Sequence, residues 1–201
     1  MSTPFNEKKF MNLLQITAVV IKIIIIFIVT IIGFLTLGFL VTVFLPASLL
    51  TIDLNALVDG LTIDMMGIAV TIPGDLFQDE VSLKGTVLTT LTVATIYMVF
   101  FVLLIHLLYG LLMDAKKQTP FSPANIKRLF TMSYVLMIGG IVLPIFLTIV
   151  GWVFISASGF EGASVDYSLH AQYIMTGVLI FILAKLFEYG AYLQDEVDMT
   201  V

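Results

Sequence analysis

The run IIIIFIVTIIGFLTLGFLVTVFL, at residues 23–45, decides the fold of this chain. It contains no charged residue, and it is long enough for a helix that crosses ~30 Å of hydrocarbon, which takes about 17–25 residues. A helix is required because every backbone polar group in lipid must find its hydrogen-bond partner within the segment. The apolar core of a cleaved signal peptide has only about 7–15 residues, so we interpret this run as a membrane anchor.

Three further apolar runs reach a similar length, and their approximate spans are residues 85–113, 129–154 and 171–187. Apolar residues make up 60% of the 201 residues, charged residues make up 11%, and the mean hydropathy is +1.11. A soluble domain is nearer about half apolar and a quarter charged. An outer-membrane barrel would instead show alternating segments of about ten residues. We therefore predict an all-α membrane protein with one four-helix membrane domain over residues 1–201.

The placement of lysine and arginine predicts the orientation, because cytoplasmic loops carry an excess of these residues. If the amino terminus is inside, only Lys84 lies outside, and eight basic residues lie inside. The inner residues are Lys8, Lys9, Lys22, Lys116, Lys117, Lys127, Arg128 and Lys185. We therefore expect both termini in the cytoplasm, together with a cytoplasmic loop at residues 114–128 and a cytoplasmic tail at residues 188–201.

The segment at residues 46–84 is the one sizeable stretch between spans. Within it, LTIDM (residues 61–65) and IAVTI (residues 68–72) alternate apolar with polar or small residues, and Met66-Gly67 lies between them. Period-two alternation around a glycine-containing turn predicts a β-hairpin. An isolated hairpin is barely stable in water, so we expect it to pack on the outer helix ends or on the loop at residues 156–170. This extracytoplasmic hairpin cap is either a lid on the bundle or a sensor.

Residues that could carry catalysis or bind a metal are scarce. The chain has no cysteine, and it lacks HExxH, GxSxG and glycine-rich phosphate loops. His106 is the only titratable side chain clearly inside a predicted span, and we favour an interfacial or helix-bridging role over a proton relay. Lys185 and Glu188 are three residues apart and are expected to form an ion pair. We predict a non-enzymatic protein with no catalytic residue, no cofactor and no metal site.

The polar segment TPFSPANIKRL, at residues 119–129, separates the second span from the third. Ser122 followed by Pro123 is typical of a helix start, because serine caps free amides and proline suits the first helical position. Phe121 precedes this cap and can pack back onto the helix. Lys127 and Arg128 then anchor the segment at the membrane surface. Capping and anchoring account for the shape of the segment.

Two motifs resemble those of a known family. PFSPANIKRL at residues 120–129 is similar to the pattern PF(S/T)xxNxxRL, and GAYLQDEVDMTV at residues 190–201 is similar to GAxLxxExDxTV. Both patterns are those of the DUF2975 family of bacterial four-span integral membrane proteins. Tyr189 departs from the family, in which a basic residue commonly precedes the glycine. The resemblance implies a bacterial cytoplasmic membrane protein and, as its partner, a small helix-turn-helix transcription regulator.

From this resemblance we predict that the two motifs form a partner-binding surface at the cytoplasmic face. Its residues are Pro120, Phe121, Ser122, Asn125, Lys127, Arg128, Gly190, Leu193, Glu196, Asp198 and Val201. The acidic and apolar side chains of the tail would meet a basic DNA-reading surface. The chain itself has a net charge of −5 and is not expected to bind nucleic acid directly.

Two other functions fit the sequence. Six carboxylates between Asp53 and Glu80 would attract a cationic membrane-active peptide, as in an immunity or protection protein. A small transporter is the third alternative, although no carboxylate lies at mid-membrane to couple an ion. The ligand or signal, the identity of any protein partner and the oligomeric state are left open.

Overall fold

A computed structural model describes residues 7–52, 61–64, 68–72, 81–82, 84–117, 119–158, 164–167 and 170–199. Four long α-helices dominate the described chain. They are α1 (Glu7–Phe44), α2 (Lys84–Lys116), α3 (Pro123–Ser158) and α4 (Ala171–Asp198). Each is long and apolar enough to cross a membrane, which confirms the predicted helical, four-span architecture.

The helices extend beyond the predicted spans. α3 begins at Pro123, six residues before the apolar run, because the preceding serine supplies a cap. α4 continues to Asp198, so the predicted tail at residues 188–201 is helical over most of its length. Gly190 lies inside this helix and does not end it. Of the described residues in the predicted loop at residues 114–128, those at 117 and 119–122 are not helical.

Short strands lie between the helices. They are β1 (Thr51–Ile52), β2 (Leu61–Asp64), β3 (Ile68–Ile72), β4 (Val81–Ser82) and β5 (Ser164–Tyr167). β2 pairs antiparallel with β3, with Leu61 opposite Ile72, and β5 adds to the other edge of β3. β1 pairs antiparallel with β4. Residues 65–67, at which the sequence predicts a turn, lie outside the described residues.

The chain divides into two compact units. We call Met1–Thr30, Phe100–Ile138 and Tyr173–Val201 the loop unit, and Ile31–Val99 with Gly139–Gln172 the sheet unit. The loop unit contains both family motifs, and the sheet unit contains the strands.

The core of the loop unit is built from helix faces. Leu129, Met132 and Leu136 share one face of α3 and are buried, as is Ala184 of α4. α3 and α4 approach closely at Gly177, where an added Cβ would lie 2.9 Å from the carbonyl oxygen of Ser133. Small residues at such crossings let membrane helices pack backbone to backbone.

The outward faces of the helices are apolar. Large exposed side chains run along α1, including Ile23, Phe27 and Phe34, and along α3, including Ile138. Exposed apolar faces of this length are unfavourable in water and favourable in hydrocarbon. They indicate that the protein is a multi-pass membrane protein associated with a lipid bilayer.

Three threonines of α2 donate hydrogen bonds within their own helix. The hydroxyls of Thr90, Thr92 and Thr95 each donate to the carbonyl four residues earlier, at distances between 2.7 and 2.9 Å. This back-bonding is a common solution for hydroxyls in apolar helices. These threonines therefore need no polar pathway to satisfy them.

Candidate functional site

The first motif begins with the cap that starts α3. The backbone N–H of Asn125 donates to Ser122 Oγ at 3.3 Å, and the Ser122 carbonyl accepts from the N–H groups of Asn125 and Ile126. Pro123 occupies the first helical position, at which a missing N–H costs nothing. The predicted helix start at Ser122-Pro123 is confirmed.

Asn125 is the centre of the site. Its side chain is buried, with 1% of the residue exposed. The side-chain Nδ2 donates to the Pro120 carbonyl at 3.2 Å and to the Thr119 carbonyl at 3.5 Å, and Oδ1 accepts from Arg128 at 2.8 Å. An amide is the group that can both donate and accept here. Asn125 therefore fixes the loop to the first turns of α3.

Arg128 connects α3 to the end of α2. Its guanidinium donates to the Gly110 carbonyl at 3.3 Å and forms a charge-assisted hydrogen bond with the Asp114 carboxylate. The guanidinium lies directly against the backbone of Gly110, since an added Cβ there would be 2.6 Å from Arg128 Nε. A side chain at position 110 would thus have to displace the guanidinium. Lys117 also pairs with Asp114 at 3.5 Å.

The end of α2 is closed by the same loop. The Asp114 carbonyl accepts from the N–H groups of Lys117 and Thr119, at 3.0 and 3.1 Å. Helix ends leave carbonyls without intrahelical partners, and a loop that satisfies them holds a defined shape. We call Gly110, Asp114, Asn125 and Arg128 with these loop carbonyls the junction network.

The two family motifs touch through one aromatic side chain. Phe121 packs on α4, where its ring lies 5.2 Å from that of Phe187, centroid to centroid. An added Cβ on Gly190 would lie 2.9 Å from Phe121 Cε1. The glycine of the second motif therefore provides the surface on which the phenylalanine of the first motif rests.

The last turns of α4 carry an apolar stripe. Tyr189, Leu193 and Val197 are spaced by four residues and are 60%, 42% and 61% exposed. Residues four apart lie on one helix face. Asp195 and Glu196 lie on the same turns and are exposed. One turn earlier, Lys185 and Glu188 pair at 2.8 Å, as predicted.

The predicted partner-binding residues differ in where the structure places them. Asn125 is buried, and Ser122 and Arg128 take part in the hydrogen bonds above, so these three hold the loop together. The described residues at the surface are Pro120, Phe121, Lys127, Leu193 and Glu196. Gly190 is partly covered by Phe121, and the side chain of Asp198 and all of Val201 lie outside the described residues.

Sequence reasoning missed three residues of the site. Gly110 and Asp114 hold Arg128, and Phe187 supports Phe121. The ion pair of Asp114 with Arg128 could have been predicted, because an acidic residue near the end of one span is separated by only a short loop from the arginine of the motif. Nothing in the sequence distinguishes Gly110 or Phe187 from other glycines and phenylalanines of the spans.

The histidines are placed separately. His106 is exposed on α2 of the loop unit. His170, which directly precedes α4 and belongs to the sheet unit, is hydrogen-bonded to the hydroxyl of Tyr97 at 2.8 Å, and Tyr97 is 1% exposed. Among the described residues, no group of three histidine, aspartate or glutamate side chains could hold a metal ion.

Four apolar helices and a motif loop define a four-span membrane protein. The family model "Protein of unknown function (DUF2975)" matches residues 72–201, and the chain belongs to this family. The match includes both motifs, so the predicted family membership is confirmed. Comparisons with curated proteins and with solved structures gave no match.

Proposed function

We propose that this protein is a non-enzymatic membrane protein that binds a small helix-turn-helix transcription regulator at the cytoplasmic end of α4. The observation that carries the proposal is the exposed stripe of Tyr189, Leu193 and Val197. The partner class comes from the family resemblance, and its position comes from this stripe and the adjoining loop.

The length of α4 supports this position. Its 28 residues extend about 42 Å, whereas the hydrocarbon core is ~30 Å thick. The Lys185–Glu188 pair marks the level of the headgroups in this proposal. Leu193 is eight residues beyond Lys185, or about 12 Å along the axis. An apolar side chain so far beyond the hydrocarbon is better buried against a protein partner than exposed to water.

Charge supports the partner class. Asp195 and Glu196 lie on the same turns as Leu193 and Val197, so the stripe has an acidic flank. A DNA-reading surface is basic, and complementary charge would speed association and fix the register of docking. A regulator held in this way would have its DNA-binding face occupied.

The junction network supports a preformed site. Asn125 and Arg128 fix the loop, and the loop places Phe121 against Gly190. The end of α4 therefore leans on a loop with satisfied hydrogen bonds. A preordered surface loses less conformational entropy when a partner binds.

In this proposal the strands β2, β3 and β5 belong to an extracytoplasmic hairpin cap, which senses a signal or closes the bundle. The alternative, an immunity protein, depends on acidic residues most of which lie outside the described residues: Asp53, Asp59, Asp75, Asp79 and Glu80. Asp64, the sixth, ends β2. Deletion of the gene would leave peptide sensitivity unchanged if the regulator proposal is right.

Co-purification tests the docking site. A double variant, Leu193→Ser with Val197→Ser, removes the stripe and should lower recovery of a co-expressed small helix-turn-helix regulator at least tenfold. Gln194→Ser is the matched control, because it is exposed on the same turn but lies about 100° around the helix from Leu193. Equal recovery with the double variant and the control would contradict the docking site.

A further inference from the structure

The loop unit has a second surface feature, a groove between α3 and α4 with a volume of about 520 Å³. It is lined by Lys127, Phe130, Thr131 and Tyr134 of α3, among others, and by Glu188 of α4. We propose that this groove binds the headgroup of an anionic phospholipid. The site is separate from the stripe on the last turns of α4.

The charges of the groove favour an anion. Glu188 is already neutralised by Lys185, whose Nζ lies 2.8 Å away. Lys127 is exposed, and among the described residues no carboxylate lies within ion-pair distance of it. The groove therefore carries one uncompensated positive charge. It also lies beside the amino-terminal turn of α3, where the helix dipole adds a further positive potential.

The floor of the groove is aromatic. The rings of Phe130 and Tyr134 stack with centroids 6.4 Å apart, and Phe181 of α4 packs on both. The Nζ of Lys185 lies over the Phe130 ring, 5.1 Å from its centroid. Such a cation held over an aromatic face stays at the rim of the groove. A phosphate at the rim would thus meet the Lys127 ammonium, with the Lys185–Glu188 ion pair beside it, above an apolar surface.

The groove continues into an apolar surface on α3. Ile138 is four residues beyond Tyr134 on the same face and is 59% exposed. A phospholipid needs both parts, a cationic rim for its phosphate and an apolar strip for its acyl chains. Soluble phosphate would use only the first part. Basic pockets between membrane helices at the cytoplasmic surface are established as sites for anionic lipid headgroups.

Native mass spectrometry of the purified full chain tests this site. The protein is titrated with phosphatidylglycerol and with phosphatidylethanolamine of identical acyl chains. We expect phosphatidylglycerol to bind about fivefold more tightly, since one lysine near an anionic surface contributes roughly that factor. Lys127→Gln should remove this preference while leaving the affinity for phosphatidylethanolamine unchanged.

Lys22→Gln is the matched control, because Lys22 is an exposed lysine of α1 outside the groove. It should retain the preference for phosphatidylglycerol. Equal affinities for the two lipids in the wild type, or equal losses in the two variants, would overturn the proposal. Displacement of the bound lipid by excess inorganic phosphate would assign the groove to a soluble anion and would also overturn it.

The lipid proposal and the regulator proposal can be tested independently at Lys127. The sequence analysis placed this residue in the partner-binding surface, whereas the lipid proposal places it in the groove. Regulator recovery should be unchanged in Lys127→Gln if the groove holds lipid. Loss of the regulator from this variant, with lipid preference intact, would assign Lys127 to the regulator and overturn the lipid site.

Discussion

Both units join two successive helices with a basic side chain that reaches backbone carbonyls of the preceding helix. In the sheet unit, Lys84 at the start of α2 donates to the carbonyls of Val43 and Leu45, at 2.9 and 2.7 Å, where α1 ends. In the loop unit, Arg128 of α3 donates to the Gly110 carbonyl of α2. A cation at a helix carboxyl end also interacts favourably with the helix dipole.

The difference between the two is the geometry of the cation. A lysine ammonium is a compact charge on a flexible chain, and it can reach two carbonyls without a shaped site. The planar guanidinium of Arg128 contacts a carbonyl, the Asp114 carboxylate and the Asn125 amide, and it lies against the backbone of Gly110. We call the contacts of Arg128 the loop junction and those of Lys84 the sheet junction. The loop junction therefore depends on the shape of the arginine side chain, whereas the sheet junction should accept another cation.

Replacement of Asn125 should have the largest effect on stability. Asn125→Ala removes a buried amide with three hydrogen-bond partners and leaves the Pro120 carbonyl and Arg128 with fewer partners. We expect a loss of about 2–4 kcal/mol, which lowers Tm by roughly 4–16 °C in a chain of this size. Thermal unfolding in detergent measures it.

Asn125→Asp is the informative companion variant. It keeps an acceptor for Arg128 but loses the donor to the Pro120 carbonyl and adds a second carboxylate near Asp114. We expect it to be destabilised at least as much as the alanine variant, because a buried carboxylate would face the Thr119 and Pro120 carbonyl oxygens. An alanine variant as stable as the wild type would show that the loop junction is no more specific than the sheet junction.

Gly110→Ala should cost about 1–3 kcal/mol, as overpacking typically does. The new methyl group would displace a guanidinium that is held by three partners. Gly33→Ala is the control, because nothing lies within 4 Å of a Cβ at that position of α1. Its stability should be unchanged or higher, since alanine is the better helix former. Tm should thus fall in Gly110→Ala and stay unchanged or rise in Gly33→Ala. An equal change of Tm in the two variants would contradict the role given to Gly110.

Lys84→Gln should have the smallest effect, about 1 kcal/mol, because a polar side chain still reaches part of the same region. Lys84→Arg should be close to neutral, since the sheet junction needs a cation and not a particular shape. The corresponding Arg128→Lys exchange should be clearly destabilising in the same Tm measurement. Equal effects of the two exchanges would remove the distinction between the junctions.

The sequence predicted the parts of the fold that depend on local physics. Apolar length set the four spans, and Ser122-Pro123 set the start of α3. The spacing of Lys185 and Glu188 predicted their ion pair. These features depend on residues close in the chain, so periodicity and capping rules suffice to find them.

The junction network and the contact of Phe121 with Gly190 could not be predicted in the same way. The motif was recognised as a pattern, but the burial of Asn125 depends on where the loop folds back. The role of Gly190 depends on a phenylalanine from a distant part of the chain. Such contacts follow from tertiary packing, which periodicity does not specify.

The junction network also bears on the order of assembly. Arg128 reaches the Gly110 carbonyl across only 18 residues, so α2 and α3 can close on each other early in synthesis. The contact of Phe121 with Gly190 can form only later, because Gly190 lies in the last turns of α4. While α4 is still being synthesised, α2 and α3 would thus already be joined through Arg128, but Phe121 would not yet contact Gly190. That contact would form last, when the second motif has been synthesised.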